Sequence, residues 1–243
     1  MKPHFKTSWV RKQNSWWSDF ISLWYPNACA VCKRNLIRGE LTICTICKIN
    51  LPRTGFHLSP ENPVEKQFWG KINFERATAF LFFHKQGATQ HIIHLLKYKG
   101  RTDIGEWLGR EIGKELNDSF PFNKADVIIP VPLHPDKQRL RGYNQSECLA
   151  TGLSTMLKVP MDNTALARVR MNETQTHKSR IERWTNVTEL FECVKPHVLS
   201  GKRILLIDDV LTTGSTMEAC AQAIYKHSQN VKINFIAAAM AHH

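Results

Sequence analysis

The chain of 243 residues lacks several features that would place it in a common class at once. It has no run of about 18 apolar residues, so we expect no transmembrane helix. Its basic N-terminus has no apolar stretch of the kind that a secretory signal carries, which predicts a cytoplasmic protein. No residue pattern identifies a catalytic nucleophile or an unambiguous general base. These absences argue against an integral membrane protein and leave any reaction undetermined.

Acidic residues are also scarce, with 21 Asp and Glu against 33 Lys and Arg and a formal net charge of +12. The imbalance is strongest in residues 1–60, where nine basic residues face two acidic ones. A basic segment of this kind favours a polyanionic partner, most commonly a nucleic acid. The same charge is equally typical of a soluble basic protein without such a partner, so both interpretations stay open.

Cysteine is present in one informative pattern. Cys29 and Cys32 form a CxxC pair, and Cys44 and Cys47 form a second one after eleven intervening residues. Two such pairs at short separation predict a structural Zn²⁺ site, because four thiolates complete the tetrahedral shell and leave no position for a substrate. Disulfides are the alternative. They are disfavoured by the expected cytoplasmic location and by three further cysteines that have no obvious partner.

The remainder of the N-terminal region gives weaker signals. Residues 1–27 hold four of the seven tryptophans, and the helical spacing of Trp16, Phe20 and Trp24 predicts an amphipathic helix. This helix is expected to pack on the sheet domain more readily than to face a partner. Pro and Gly residues in 52–70 suggest a linker. Further along the chain, Asp103 is predicted to cap an amphipathic helix. We therefore predict two domains, a basic segment with the four-cysteine zinc knuckle at 1–60 and an α/β domain at 61–243.

Strand and helix patterns alternate in the second half of the chain. Buried strands are predicted near 126–134, 203–208 and 231–239, with helices at 148–157 and 215–228. This alternation indicates a parallel sheet with right-handed crossovers, in which ligands bind at the carboxyl ends of the strands. The loops at 130–145 and 208–216 should consequently lie on the same rim.

The most specific stretch begins with the aliphatic run Ile204–Ile207 and continues through Asp208 and Asp209 into a hydroxyl- and Gly-rich loop before a helix. The loop comprises Thr212, Thr213, Gly214, Ser215 and Thr216. Backbone N–H groups at such a helix start bind anions, most often phosphate. The adjacent carboxylates would repel a bare phosphate. The expected ligand therefore carries hydroxyls or a divalent cation beside its phosphate, as ribose 5-phosphate does.

This stretch resembles the phosphoribosyl pyrophosphate (PRPP) motif of type I phosphoribosyltransferases. The resemblance implies that Asp208 and Asp209 contact the ribose hydroxyls and that residues 212–216 hold the 5-phosphate. It further implies that Mg²⁺ binds together with PRPP. If the protein is an enzyme, the acidic pair belongs to its catalytic centre, and pentosyl transfer is the expected reaction.

The order of motifs along the chain resembles one particular family, the competence-associated ComF proteins. The motifs, in chain order, are the four-cysteine knuckle, Leu96–Gly100, Pro130–Leu133, Arg141–Gln145, Gln175-Thr176 with Arg183 and Asn186, and the Asp-Asp-Val-x-Thr-Thr-Gly stretch. This resemblance implies a type I phosphoribosyltransferase fold, PRPP binding, a link to DNA uptake in natural transformation and suggested single-stranded DNA binding. Two alternatives remain: a non-catalytic PRPP- or nucleotide-sensing or DNA-binding module, and a nucleobase-salvage phosphoribosyltransferase.

Three cations near the predicted rim, Lys137, Arg139 and Arg141, suit the diphosphate leaving group or a DNA backbone. Tyr143 is a candidate for stacking on a base. For Asn144, a role as the cap of the following helix is as plausible as a role in ligand binding. A second basic run contains Arg168, Arg170, Lys178, Arg180 and Arg183, and it is as readily a solvated helix face as a binding surface.

Overall fold

The computed structural model describes residues 28–169 and 190–241. The chain divides into two compact units, of which the first ends at Ile49 and the second begins at Asn50. The predicted boundary at residue 60 lies about ten residues after this division. That the two units are independent domains stays a prediction. The Trp-rich segment and the second basic run beyond Arg168 fall outside the described residues. None of the described helices is long and apolar enough to cross a membrane.

The larger unit is built on one four-stranded sheet in which every neighbouring pair is parallel, with the strand order β1-β6-β5-β2. Two further strands, β3 and β4, form a small antiparallel ribbon. The bounds are β1 Arg76–Phe83, β2 Val127–Pro130, β3 Leu166–Arg168, β4 Phe191–Cys193, β5 Arg203–Leu211 and β6 Lys232–Ala241. The predicted α/β class with a parallel sheet is confirmed.

Helices flank this sheet in the larger unit, and one short helix lies in the smaller unit. Short 3₁₀ turns lie at Phe56–Leu58 and Phe122–Lys124. The α-helices are α1 Thr45–Ile49, α2 Pro63–Phe68, α3 Ala88–Tyr98, α4 Thr102–Leu116, α5 Pro135–Arg141, α6 Gln145–Leu157, α7 Pro196–Leu199 and α8 Ser215–His227.

The core lies around β5 and β6, the two central strands. The aliphatic run Ile204–Ile207 of β5 is completely buried, as expected for a strand covered on both faces. In β6 the buried stretch extends from Ile233 to Ala239 and is rich in alanine. The acidic pair Asp208 and Asp209, which follows the aliphatic run in β5, therefore stands on a rigid base.

Three local predictions were wrong. Residues 52–70 are not a linker, because Asn62 accepts hydrogen bonds from the N–H groups of Val64 and Glu65 and thereby begins α2. Asp103 does not cap α4; that helix begins one residue earlier, and Asp103 binds the Arg101 guanidinium instead. The stretch after Pro132 is not only a loop, since Pro135 stands in the first turn of α5.

Candidate functional site

The acidic pair lies within β5 rather than after its end. We expected the strand to stop at Asp208, but it continues to Leu211 because Val210 and Leu211 keep their pairing with Ala239 and Met240 of β6. Both carboxylates border one cavity of about 360 Å³ at the carboxyl ends of the strands. The pair is therefore held by the sheet ladder itself, which is more rigid than a loop.

Asp208 accepts two hydrogen bonds at Oδ1, from Ser146 Oγ at 2.9 Å and from the Asp209 N–H at 2.8 Å. Burial raises the pKa of Asp208 to about 7, and the neighbouring negative charge of Asp209 adds to this effect. The two donors and the ammonium group of Lys97 oppose the rise in pKa. This carboxyl group therefore changes its charge close to neutral pH.

Asp209 has a different environment. The residue is 8% exposed, and its Oδ1 lies 3.0 Å from Lys97 Nζ. Lys97 belongs to the last turn of α3, far from β5 in sequence. The sequence did not suggest a site role for Lys97, although the residue belongs to the Leu96–Gly100 motif. Ser146, the donor to Asp208, was missed in the same way.

The loop from Thr212 to Thr216 has the conformation expected of an anion-binding helix start. Gly214 has a φ of +78°, and α8 begins directly after it. A Cβ atom at Gly214 would lie 2.8 Å from Cε1 of Phe68, so two separate constraints require glycine. The hydroxyls of Thr213 and Ser215 lie 3.1 Å apart. Phe68 in turn stacks on Phe235 of β6 with a ring-centroid distance of 4.3 Å, so the loop rests on aromatic packing.

The cations after β2 are separated by the geometry of α5. Lys137 and Arg141 are four residues apart on one helix face, and both border the cavity. Arg139 lies on another face, where its side chain is 75% exposed and its Nη1 is 4.0 Å from Asp136. Residues that line the cavity also include Val131, Gln145, Arg168, Thr212 and Thr216. The predicted shared rim of the two loops is confirmed by this lining.

The Arg141–Gln145 element connects three parts of the site. The Tyr143 hydroxyl donates to the Leu96 carbonyl of α3. Asn144 caps α6 by accepting from the Ser146 N–H at 3.0 Å, and its Nδ2 donates to the Val131 carbonyl at 3.0 Å. The predicted capping role of Asn144 is confirmed. Tyr143 is anchored through its hydroxyl to α3, which gives it a structural role that the sequence did not indicate.

A second cavity of about 400 Å³ borders the first. Lys97, Tyr98, Lys137 and Arg141 line both cavities, and Gly100 and Leu140 line the second one alone. The Arg141 guanidinium lies over the Tyr98 ring at 5.4 Å from its centroid. The lining of the second cavity thus combines the cations Lys97, Lys137 and Arg141 with exposed apolar surface from two other side chains, Tyr98 and Leu140.

In the smaller unit, the ligand atoms of the four predicted cysteines Cys29, Cys32, Cys44 and Cys47 all lie within 4.8 Å of one another. Cys32 Sγ and Cys44 Sγ are 3.7 Å apart, close to the edge of a tetrahedron with metal–sulfur bonds of about 2.3 Å. Backbone N–H donation from Arg34 lowers the pKa of Cys32 to about 6, whereas burial and neighbouring thiols raise that of Cys47 to about 12. Four sulfur donors at this spacing match the ligand set of a tetrahedral metal site, so the cluster fits a metal.

Comparisons with known proteins bear on the whole arrangement. A family model described as the phosphoribosyl transferase domain matches residues 144–242, which include α6, the acidic pair and the 212–216 loop. The chain is 37% identical over 208 residues to Competence protein F of Haemophilus influenzae, and the match covers 82% of this chain and 90% of that protein. The chain belongs to the ComF family. The predicted family and the type I phosphoribosyltransferase fold class are thereby confirmed.

A second relative agrees with this assignment, and a solved structure is reported beside it. The chain is 30% identical over 210 residues to DNA utilization protein YhgH of Shigella flexneri, with 85% of this chain and 88% of that protein covered. Among solved structures, the B. subtilis glutamine PRPP amidotransferase matches with 20% identity and a TM-score of 0.41. That match covers 58% of this chain and 30% of the other.

Proposed function

We propose that this ComF-family protein binds PRPP at the carboxyl ends of β2 and β5. The observation that carries the proposal is the joint lining of one cavity by the acidic pair, by Thr212 and Thr216 of the phosphate loop and by the α5 cations. Asp208 and Asp209 take the ribose hydroxyls, and residues 212–216 take the 5-phosphate. Lys137 and Arg141 are placed for the diphosphate. Arg139, which faces solvent beside Asp136, contributes less.

Mg²⁺ fits the carboxylate side of this cavity. Oxygen donors are its preferred ligands, and Asp208 and Asp209 would hold it together with ligand oxygens. A bound Mg²⁺ would supply positive charge against the diphosphate, and Asp208 and Asp209 would be the residues that hold it. Asp208 ionises close to neutral pH, so binding of a cation or of hydroxyl donors there strengthens as the pH rises through about 7.

The chain's own residues supply positioning and charge. The sheet ladder fixes the acidic pair, the loop at Gly214 fixes the phosphate end, and α5 presents cations to the opposite end of the ligand. Such an arrangement favours loss of diphosphate from C1 of the ribose by orientation and electrostatic stabilisation. Two alternatives are a non-catalytic PRPP- or nucleotide-sensing module and a nucleobase-salvage enzyme. Turnover assays with a panel of acceptors distinguish them: a sensing module transfers ribose to no acceptor, and a salvage enzyme transfers it to a nucleobase.

Titration calorimetry tests the pocket. The parent should bind PRPP with Mg²⁺, and Asp209→Asn should weaken that affinity by at least about tenfold, or roughly 1.4 kcal/mol. Asp118→Asn, a change at an exposed carboxylate after α4, serves as the control and should leave affinity unchanged. Arg141→Ala should weaken binding more than Arg139→Ala. Equal affinity of the parent and Asp209→Asn would remove the assignment.

In the smaller unit, we propose that the four-cysteine cluster holds Zn²⁺ as a structural ion. The donor set is all sulfur and leaves no open coordination position, which is typical of a site that stabilises a fold. Metal analysis of the purified protein, with one zinc expected per chain and loss of zinc in Cys44→Ser, tests this assignment. Retention of zinc by that variant would contradict it.

A role in DNA uptake is the second part of the proposal, supported by relatives named Competence protein F and DNA utilization protein YhgH. Direct single-stranded DNA binding is a further candidate function, favoured by the three cations beside the exposed Tyr98 ring. If strand phosphates use Lys137 and Arg141, then PRPP with Mg²⁺ should compete with DNA. The protein is expected to act in the cytoplasm.

A gel-shift series tests DNA binding. Affinity for a single strand should fall steeply with salt, because phosphate contacts release counterions. Arg141→Ala should reduce the slope of log K against log salt by roughly one contact. Addition of PRPP and Mg²⁺ should weaken the shift. The absence of any shift at low salt would exclude this candidate function and leave the PRPP proposal intact.

A further inference from the structure

Lys97 is the one cation of the cavity that directly contacts the acidic pair among the described residues. Its Nζ lies 3.0 Å from Asp209 Oδ1, and both side chains are largely shielded from solvent, at 23% and 11% exposure. An ion pair with this little exposure is screened less than a surface pair and therefore has more effect on local charge. A ligand that uses Asp209 must exchange this contact for its own.

The chain holds the backbone of Lys97 in place on either side. At the preceding residue, the Tyr143 hydroxyl donates to the Leu96 carbonyl. At the following residue, the Arg141 guanidinium lies over the Tyr98 ring. The Arg141–Gln145 element thus fixes the last turn of α3 against the site. What stays adjustable is the four-carbon side chain of Lys97, which carries its charge on a flexible stem.

Lys97 also stands where the two cavities meet. It lines the cavity of the acidic pair and the adjoining one, and Lys137 and Arg141 line both as well. The ammonium group can therefore leave Asp209 and remain beside the α5 cations, within the part of the site that is suited to anionic groups. The Lys97 ammonium group therefore has two available positions, one at Asp209 and one in the adjoining part of the site.

We infer that Lys97 is an exchangeable counter-ion of the acidic pair, which yields Asp209 to the divalent cation or hydroxyls of an incoming ligand and then contacts that ligand's anionic groups. The inference rests on the proposed function for the identity of the ligand, PRPP. Lys97 is then a binding residue. When the ribose of the ligand occupies Asp209, the released ammonium group adds positive charge beside the diphosphate. The inference also predicts that a divalent cation and Lys97 compete for the same carboxylate.

The competition can be measured without PRPP. Mn²⁺ prefers oxygen ligands much as Mg²⁺ does and can be followed by water-proton relaxation even when it binds weakly. Lys97→Met should bind Mn²⁺ about three- to tenfold more tightly than the parent, because the competing charge is gone. Lys97→Arg should behave like the parent. Lys99→Met, which removes an exposed lysine two residues on, is the matched control and should bind Mn²⁺ as the parent does.

The same variants are then titrated with PRPP and Mg²⁺. Lys97→Met should bind PRPP at least about tenfold more weakly despite its stronger metal binding, and Lys99→Met should be unchanged. Unchanged or weaker Mn²⁺ binding by Lys97→Met, including no detectable Mn²⁺ binding by either protein, would overturn the exchange. If the parent binds Mn²⁺ but not PRPP, the proposed function fails while the Mn²⁺ comparison still decides whether Lys97 competes at the acidic pair.

Discussion

The cysteine cluster and the acidic pair are both crowded sets of anionic groups, but they stand in opposite relations to their surroundings. In the smaller unit apolar residues are exposed, with Ile37 at 69%, Leu41 at 78% and Ile49 at 73%. Among the described residues 28–49, Ala30 and Ile43 are the only buried apolar side chains besides two of the cysteines. In the larger unit the Asp pair lies within β5, directly after the completely buried run Ile204–Ile207. On the proposed function, a metal at the cysteine site would stabilise residues 28–49, whereas the hydrophobic core of the larger unit stabilises the acidic pair.

The largest effect should follow from removing one cysteine ligand. Cys44→Ser should lose the metal and unfold the smaller unit, because apparent metal binding supplies about 10 kcal/mol or more in comparable sites. Limited proteolysis should then cleave within 28–49, and the main unfolding transition should stay in place. Cys148→Ser, outside the cluster, should keep the metal. If the smaller unit stayed folded in metal-free Cys44→Ser, the metal would not be what stabilises that unit.

The second test addresses the larger unit with two glycines of similar backbone geometry. Gly214 and Gly142 have φ values of +78° and +82°, but only Gly214 has a neighbour, Phe68, where a Cβ would stand. Gly142→Ala should cost about 1 kcal/mol of unfolding free energy, and Gly214→Ala about 2–4 kcal/mol with loss of PRPP binding. Urea denaturation measures both. Equal costs would show that Phe68 does not determine the loop.

The third test asks what the site costs the fold. Burial raises the pKa of Asp208 to about 7, so the folded state retains a proton that the unfolded chain releases near pH 4. The contribution of Asp208 to unfolding free energy therefore falls as the pH rises from about 4 to about 7. Asp208→Asn should be about 1–3 kcal/mol more stable than the parent at pH 8 and nearly equal to it at pH 4. A pH-independent difference would argue against this origin.

The smallest effect is expected at the α6 cap. Asn144→Ala removes the acceptor of the Ser146 N–H and should cost about 1 kcal/mol. Asn144→Ser keeps a capping oxygen but loses the bond to Val131, so it should lie between the parent and the alanine variant. Thermal unfolding resolves the series. A serine variant as weak as alanine would assign the effect to the Val131 contact and sharpen how the fold positions the site.

The parts of the site that could be predicted from sequence are those in which chemistry and chain order coincide. The Asp208–Thr216 stretch and the two CxxC pairs each present their groups within a short segment, and the structure brings each set together. Lys97, Ser146 and Phe68 were not predicted, because each reaches the site through packing between elements that are distant in sequence. Arg139 was grouped with Arg141 for a similar reason. Residues 130–145 were predicted to be a loop, and only the presence of α5 shows that the two arginines lie on different helix faces.

The position of β6 in the sheet has a consequence for biosynthesis. β6 lies between β1 and β5, although it follows both in the chain. Among the described strands, β6 is the only partner of β1, so until residues 232–241 leave the ribosome that edge of β1 is open to pairing with other chains. Ribosome-bound chains that end before β6 should therefore need chaperones more than chains in which β6 has emerged. The acidic pair, which β6 holds through the pairing of Asp208 with Ala237, is fixed only after that strand has emerged.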